Sequence, residues 1–420
     1  MIIGGAILAV VLFIVVFIVV IPALQTGSST EPSSKITLTV WGVDDENYFS
    51  AIETSYTAAH PNVAISYVQY PEDKYENALL NAMALGKGPD IFMIHRSWID
   101  RQGNKMSPVS ESQFPFVNIR NLFPQIVEND FTYKKTVYAL PLYLDTLALV
   151  ANRDQFNIKG IAVQPTTWGD IKTLIPYFTQ FGSSHQLQKS AITLGGSLTS
   201  FRNAPDLLSL LMLQYGDKSL SSLGETVSGG RAADQNALSF YTQFASPQNQ
   251  YYTWDDKFGS DFDAFANGDA AMTFAYARQL DDIRKKNPTI NLSVIPMPQE
   301  NPSSPVNYAD YWGLTVSKQS QNARFAWQFI IDLTTNPTSN SQYLQASNRP
   351  PALLTSINQY FTNPDLGVFA KQSLTAQAPY EYDHAAYRRA FSDMIQSTVS
   401  GNLTIINALN KAADNLKASS

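Results

Sequence analysis

Between Ile36 and Ile94 the hydrophobic pattern switches repeatedly between strand-like and helical spacing, and that switching restricts the fold more than any other feature of the chain. Ile36 to Val40 (ITLTV) reads as a buried strand. Phe49, Ile52, Tyr56 and Ala59 then recur at spacings of three, four and three before His60-Pro61, which is an amphipathic helix with a proline stop. Val63 to Tyr70 (VAISYVQY) is rich in β-formers, and Tyr75, Leu79, Ala82 and Met83 stripe a second helix. Gly86 or Gly88 supplies a left-handed cap before a third strand, Ile91 to Ile94. A β-α-β-α-β order means a parallel sheet covered by helices through right-handed crossovers. Loops at the carboxyl ends of such strands form the crevice of an open sheet. The polar cluster ending ALGKGPDIFMIHRSW, with His95, Arg96 and Ser97, is therefore the first candidate site.

A second α/β unit follows. PTTWGDIKTLIPYF starts a helix, AITLGG is a strand meeting a glycine turn, and APDLLSLLMLQYG is a strongly apolar helix. Between the two units, Tyr138 to Val150 (YALPLYLDTLALV) is too long and too apolar for one ordinary strand, and is expected to be a long strand crossing between lobes. Asp145 interrupts it and faces a cleft on this reading. Later stripes at Phe325, Phe329, Ile330 and Leu333, at Phe391, Ile395 and Val399, and at Ile406 and Leu409 predict three more helices. With 420 residues, 44% hydrophobic and 15% charged, there is material for two lobes with real cores.

Ile2 to Leu24 carries no charged side chain, and about 20 such residues span a bilayer core as helix. Residues 1–24 are read as an uncleaved transmembrane anchor, with a cleaved signal as the alternative; residues 25–35, rich in Ser, Thr and Pro, are a tether. The absence of cysteine excludes disulfides, thiolate catalysis and cysteine-held metals. A net charge of -6 without a basic stripe argues against nucleic acid as a partner.

No nucleophile elbow, Walker A loop or HExxH occurs, and the four histidines stand apart in sequence, so neither cofactor nor metal is expected. DFDAFANGD at Asp261 lacks the calcium-loop acid at its fifth position, Phe265, and reads as a helix ending in an Asn-Gly turn. Asp44 and Asp45, just past the first strand, either cap the next helix or face the crevice. Tyr276 and Trp312 are among several aromatics beside turns, each either core packing or a flat face for a sugar ring.

These pieces fall in a familiar order. ITLTVWG, KYENALLNAMALGKGPDIFMI, YALPLYLDTLALVANRDQF, PTTWGDI, FANGDAAMTF, VIPMP, WGLTVSKQSQNARFAWQFIIDL, RPPA and AFSDMIQSTVSGNLTIINALNKA run from about Lys35 to the C-terminus. In that order and spacing the chain resembles the extracellular solute-binding proteins of ABC importers, in the carbohydrate-binding group that includes maltose-binding protein. The resemblance implies two α/β lobes, a hinge and an interlobe cleft, the periplasmic-binding-protein-like fold. It assigns 36–144 with 314–358 to the first lobe and 145–313 with 359–420 to the second. It implies a monomer that captures a carbohydrate and hands it to a membrane permease, with no catalytic residue. Ligand contacts carried across by motif fall on Asp44, Asp45, His95, Arg96, Ser97, Asp145 and Gly196, with Arg202 near the last. Tyr276, Ala277 and Arg278 replace the Gly-Pro-Trp of the maltose-binding pattern, and Tyr387, Arg388 and Arg389 stand near its last aromatic platform, so malto-oligosaccharide itself is not implied. Other classes compatible with the residues are a glycan-acting enzyme using two of Asp44, Asp45 and Asp145, and an extracellular sensor without a permease.

Overall fold

The computed structural model describes residues 32, 34–184, 186–217 and 230–419. The apolar run 2–24 and nearly all of the tether lie outside them. Among the described residues no helix is long and apolar enough to cross a membrane.

The switching pattern at the start produces the expected parallel sheet. Strands Ile36–Gly42, Val63–Gln69 and Ile91–His95 pair in parallel, with Ile36–Gly42 in the middle. Helix Asn47–Ala59 buries Phe49, Ile52 and Tyr56, and helix Glu72–Ala84 buries Tyr75, Leu79 and Met83, as their spacing requires. Phe49 stacks on Tyr67 with ring centroids 4.0 Å apart, joining helix to sheet. Of the two glycines offered for the cap after Glu72–Ala84, Gly86 takes it, at φ +68°.

The sheet is completed from far along the chain. Trp312–Ser317 lies antiparallel against Ile91–His95, and both Met106–Ser107 and Leu140–Pro141 pair with its other side. The approach to Leu140–Pro141 is close enough that a Cβ on Gly313 would sit 2.5 Å from the Leu140 carbonyl oxygen, so only glycine fits.

A second sheet runs in the order Leu292–Ile295, Ala148–Asn152, Ala270–Ala275, Leu187–Ile192, Gln180–Phe181. Its core draws on helices Trp168–Phe178, Ala204–Gln214 and His384–Val399. Trp168–Phe178 starts in a reciprocal capping box between Thr167 and Asp170, which satisfies two of the backbone N–H groups a helix start leaves open. DFDAFA is a helix ending at Asn267-Gly268, with Gly268 at φ +77°. The stripes near the C-terminus are shorter than the spacing suggested: Val399 and Ile406 are exposed, and Ala408, Leu409, Ala412 and Ala413 form the buried face of the last helix.

Tyr138 to Val150 is not one crossing strand. Leu140–Pro141 belongs to the first sheet, Ala148–Asn152 to the second, and the residues between them leave both ladders. That linker pairs instead with the returning chain: Leu147 N–H donates to the Tyr308 carbonyl at 3.0 Å, Asp310 N–H to the Asp145 carbonyl at 3.1 Å, and Thr146 bridges Ala309. Two antiparallel connections thus join the sheets, and the first core ends at Leu144 and resumes at Ala309.

Inside the second core Asp234 is buried and hydrogen-bonded to the Asp217 carboxyl, with its Oδ1 lacking a partner. Burial and the Asp217 charge push its pKa up to about 8. A carboxyl raised in the folded state stabilises fully below its unfolded pKa and loses that contribution as pH climbs through the folded value. The chain should therefore lose stability between about pH 4 and pH 8 at this site. Asp234→Asn, which offers Asp217 a donor at any pH and cannot ionise, is expected to raise the melting temperature at pH 8 by roughly 2–12 °C, about 1–3 kcal/mol for relief of the poorly partnered buried carboxylate, and to change it little at pH 4. Thermal denaturation at both pH values checks this; an equal effect at both would exclude the shared proton.

Candidate functional site between the lobes

The loop after Ile91–His95 reaches across to the segment that leads into helix His384–Val399. Arg96 and Glu381 are buried, and Arg96 Nη2 donates to Glu381 Oε1 at 2.5 Å while Nη1 donates to the Pro379 carbonyl at 3.0 Å. Glu381 also accepts the Tyr308 hydroxyl at 3.0 Å and pairs with His384 Nδ1 at 2.5 Å. Arg101 adds a pair with Asp383 at 2.8 Å. Arg96 and Arg101 therefore clasp the far segment, while Ser97 bonds locally, its Oγ 2.8 Å from His95 Nδ1.

Asp310, in the returning connection, is the centre of the cluster. Its Oδ1 lies 2.5 Å from His95 Nε2, and its Oδ2 accepts Arg278 Nη2 at 2.5 Å. Burial works against this carboxylate, but Arg278 and the two histidines hold it well below its usual range. Burial likewise lowers His95, which the Asp310 charge only partly offsets, whereas the Glu381 charge outweighs burial and raises His384. Burial opposes ionised Glu381 too, yet Arg96 and His384 bring its pKa down to about 2. Further pairs line the same region: Arg388 with Asp206 at 2.5 Å and Arg349 with Asp44 at 2.6 Å. A guanidinium with a carboxylate is the arrangement that makes such burial tolerable.

Several expected ligand contacts have structural partners in this conformation. Asp145 is fully buried, and its carboxylate accepts the N–H groups of Thr146, Ala277 and Arg278, joining the connection to the turn after Ala270–Ala275. Asp44 binds Tyr343 and Arg349. Asp45 is exposed and makes a local turn to the Asn47 N–H at 2.9 Å, beside the start of the first helix. Tyr276 is buried, donates its hydroxyl to Asp206 at 2.8 Å and carries the Arg278 guanidinium over its ring at 4.4 Å. Gly196 packs on Trp254, and its carbonyl accepts the Tyr241 hydroxyl at 2.6 Å. Trp312 is edge-on to Trp98 and to His95, each with centroids 5.3 Å away. Arg202 lies over the Phe262 ring at 3.9 Å, between Asp261 and Asp282. At the same carboxyl edge as His95, Trp41 and Tyr70 are only partly buried and pack ring to ring with centroids 4.7 Å apart.

The sequence reading missed Asp310, Glu381 and His384. Both acids sit beside aromatics, in YADYW and YEY, and a charge set among rings was the available signal. The histidines that stand apart in sequence do not in space: the rings of His95 and His384 lie 4.5 Å apart.

Residues 51–367 match the sequence model of a family described as bacterial extracellular solute-binding protein. A maltotriose-binding protein of Pyrococcus abyssi is 28% identical over 129 residues, 30% of this chain and only 26% of that relative. Among solved structures, a cyclo/maltodextrin-binding protein complexed with maltotetraose is similar at a TM-score of 0.74 and 16% identity, over 93% of this chain and 98% of that one. The GacH receptor of Streptomyces glaucescens gives 0.72 at 18% identity, over 92% and 99%. At such identities the likeness is one of fold, two α/β lobes about a cleft of the periplasmic-binding-protein type. The family's sequence pattern begins inside the first helix and runs through both connections between the sheets, and the chain belongs to the bacterial extracellular solute-binding proteins.

Proposed function

We propose that this solute-binding protein captures a carbohydrate, or a similar hydroxyl-rich solute, between its lobes on the outer face of the membrane and delivers it to an ABC permease. Its family makes it a binding protein rather than an enzyme. The observation that carries the sugar reading is the partly buried Trp41–Tyr70 pair, at the same sheet edge as a dense set of charged and hydroxyl side chains. Flat rings that cover C–H faces beside groups that bond hydroxyls are the division of labour a sugar needs. On this reading Asp44, Asp45, His95, Arg96, Ser97, Asp145, Gly196, Tyr276, Arg278 and Trp312 surround the ligand once existing pairs rearrange. The lobes are proposed as 36–144 with 314–358 and 145–313 with 359–420, with Ala309 to Gly313 packed in the first core although the second span includes them. Residues 1–24 hold a monomer at the membrane, and recovery of a mature chain starting near Thr26 to Ser34 would replace that anchor by a signal peptide.

A thermal-shift screen of the purified chain against sugars, polyols, peptides and polyamines tests the class, because a solute bound only by the folded state raises the melting temperature. Peptides or polyamines as the sole hits would overturn the carbohydrate reading. For the sugar found, Trp41→Ala is expected to weaken binding about tenfold, the equivalent of 1.4 kcal/mol, with folding intact. Unchanged affinity by calorimetry would take Trp41 out of the site.

A further inference from the structure

We propose that His95, Asp310 and His384 form a site for one divalent transition-metal ion, Zn2+ in the first instance. One ligand atom from each lies within 4.8 Å of the other two. Two imidazoles and a carboxylate are a donor set that suits zinc and its neighbours, and three protein ligands leave a fourth tetrahedral position for water or a solute oxygen. A hard cation such as Ca2+ wants six to eight oxygens, which this cluster does not offer.

The surrounding groups support the ligands as metal sites require. Glu381 takes His384 Nδ1 at 2.5 Å, which leaves Nε2 as the ring atom open to an ion. His95 offers Nε2 only when its proton is on Nδ1, and Ser97 Oγ, 2.8 Å from Nδ1, can accept that proton's hydrogen bond; the Ser97 N–H that points at Nδ1 from 3.5 Å has to turn aside. Arg278 holds Oδ2 of Asp310, leaving Oδ1 toward His95. The arginines nearby are each matched by a carboxylate, Arg96 by Glu381 and Arg278 by Asp310, so ligand bonds rather than surplus negative charge hold the ion. Binding separates one existing contact. His95 Nε2 and Asp310 Oδ1 stand 2.5 Å apart, and two tetrahedral ligands at zinc distances sit about 3.3 Å apart.

The three ligands come from the first sheet's edge, the returning connection and the first residue of a helix in the second core. An ion there would tie both lobes and their connection together. This requires nothing about which solute the protein carries.

Full-length protein stripped with EDTA and titrated with ZnCl2 is expected to take up one ion per chain by calorimetry. At a hundredfold excess over Kd the melting temperature should rise by about 5–10 °C, and equal Ca2+ or Mg2+ should leave it unchanged. His384→Gln should abolish stoichiometric uptake, Glu381→Gln should weaken it about 10- to 100-fold as a positioning residue, and His60→Gln should have no effect. Should the cluster variants fail to fold, histidine modification of the unaltered protein, mapped by mass spectrometry, gives the same answer. Zn2+ should protect His384, the more exposed of the two ring ligands, selectively. Absence of uptake after stripping, uptake retained in folded His384→Gln, or protection of His60 or His185 instead would overturn the site.

Discussion

Replacing Asp310 with alanine is expected to lower the melting temperature by about 6–20 °C. The carboxylate is buried and answers two groups at once, His95 through Oδ1 and Arg278 through Oδ2. Its removal leaves the Arg278 guanidinium with only the more distant Asp145 carboxylate, 3.9 Å away, and breaking one side of a buried pair costs about 3–5 kcal/mol. For a lobe of this size each kcal/mol moves the midpoint by about 2–4 °C. The same physics predicts the rescue: Asp310→Leu combined with Arg278→Met should recover most of the loss, because an apolar pair avoids the desolvation the ions undergo. Calorimetric scans of both variants decide it. A single variant that melts like the parent would mean water already satisfies Arg278 and the cluster holds nothing together.

Glu381→Gln is expected to act as strongly and to change the response to acid. The carboxylate is held near 2 against an ordinary value of 4.5, so its contribution is complete above about pH 4.5 and is lost as pH falls toward 2. About 2.5 pKa units correspond to roughly 3 kcal/mol, an order-of-magnitude figure for a buried pair. His384 has the opposite sign: raised in the folded state, it stabilises below its ordinary 6.5 and loses that contribution as pH rises through its folded value. The glutamine variant should thus be less stable near neutral pH, with a shallower decline between pH 4.5 and 2 than the parent. Parallel acid limbs in the two proteins would show that ionised Glu381 adds nothing to the stability of the fold.

The first sheet was legible because its determinants are local. A strand and the helix after it announce themselves through spacing within a dozen residues, as with Phe49, Ile52 and Tyr56. The connection at 142–147 was not, since its apolar composition fits a strand and only its partners reveal that it leaves both ladders. Those partners, Tyr308 to Asp310, lie far off in the chain. The ionic cluster was legible in part. His95 and Arg96 follow from topology, as the residues just past a parallel strand, but His95 meets Asp310 across 215 positions and Arg96 meets Glu381 across 285. Nothing in a single sequence records such pairings. Asp145 shows the converse: an acid in an apolar run signalled importance correctly, but the backbone amides of Thr146, Ala277 and Arg278 take its oxygens in this conformation.

The position of Trp312–Ser317 in the first sheet governs when this molecule can take shape during its manufacture. That strand fills the space between Ile91–His95 and Leu140–Pro141, yet about 170 residues separate it from the latter. A ribosome adding about 5–20 residues per second needs roughly 10–30 s to cross that interval. Throughout it the N-terminal strands present an open edge with no native neighbour to close it. The nascent chain therefore stays uncommitted until three quarters of it exists. The order of segments in the gene thus postpones closure of this sheet, and with it the meeting of His95 and Asp310, to the last quarter of synthesis.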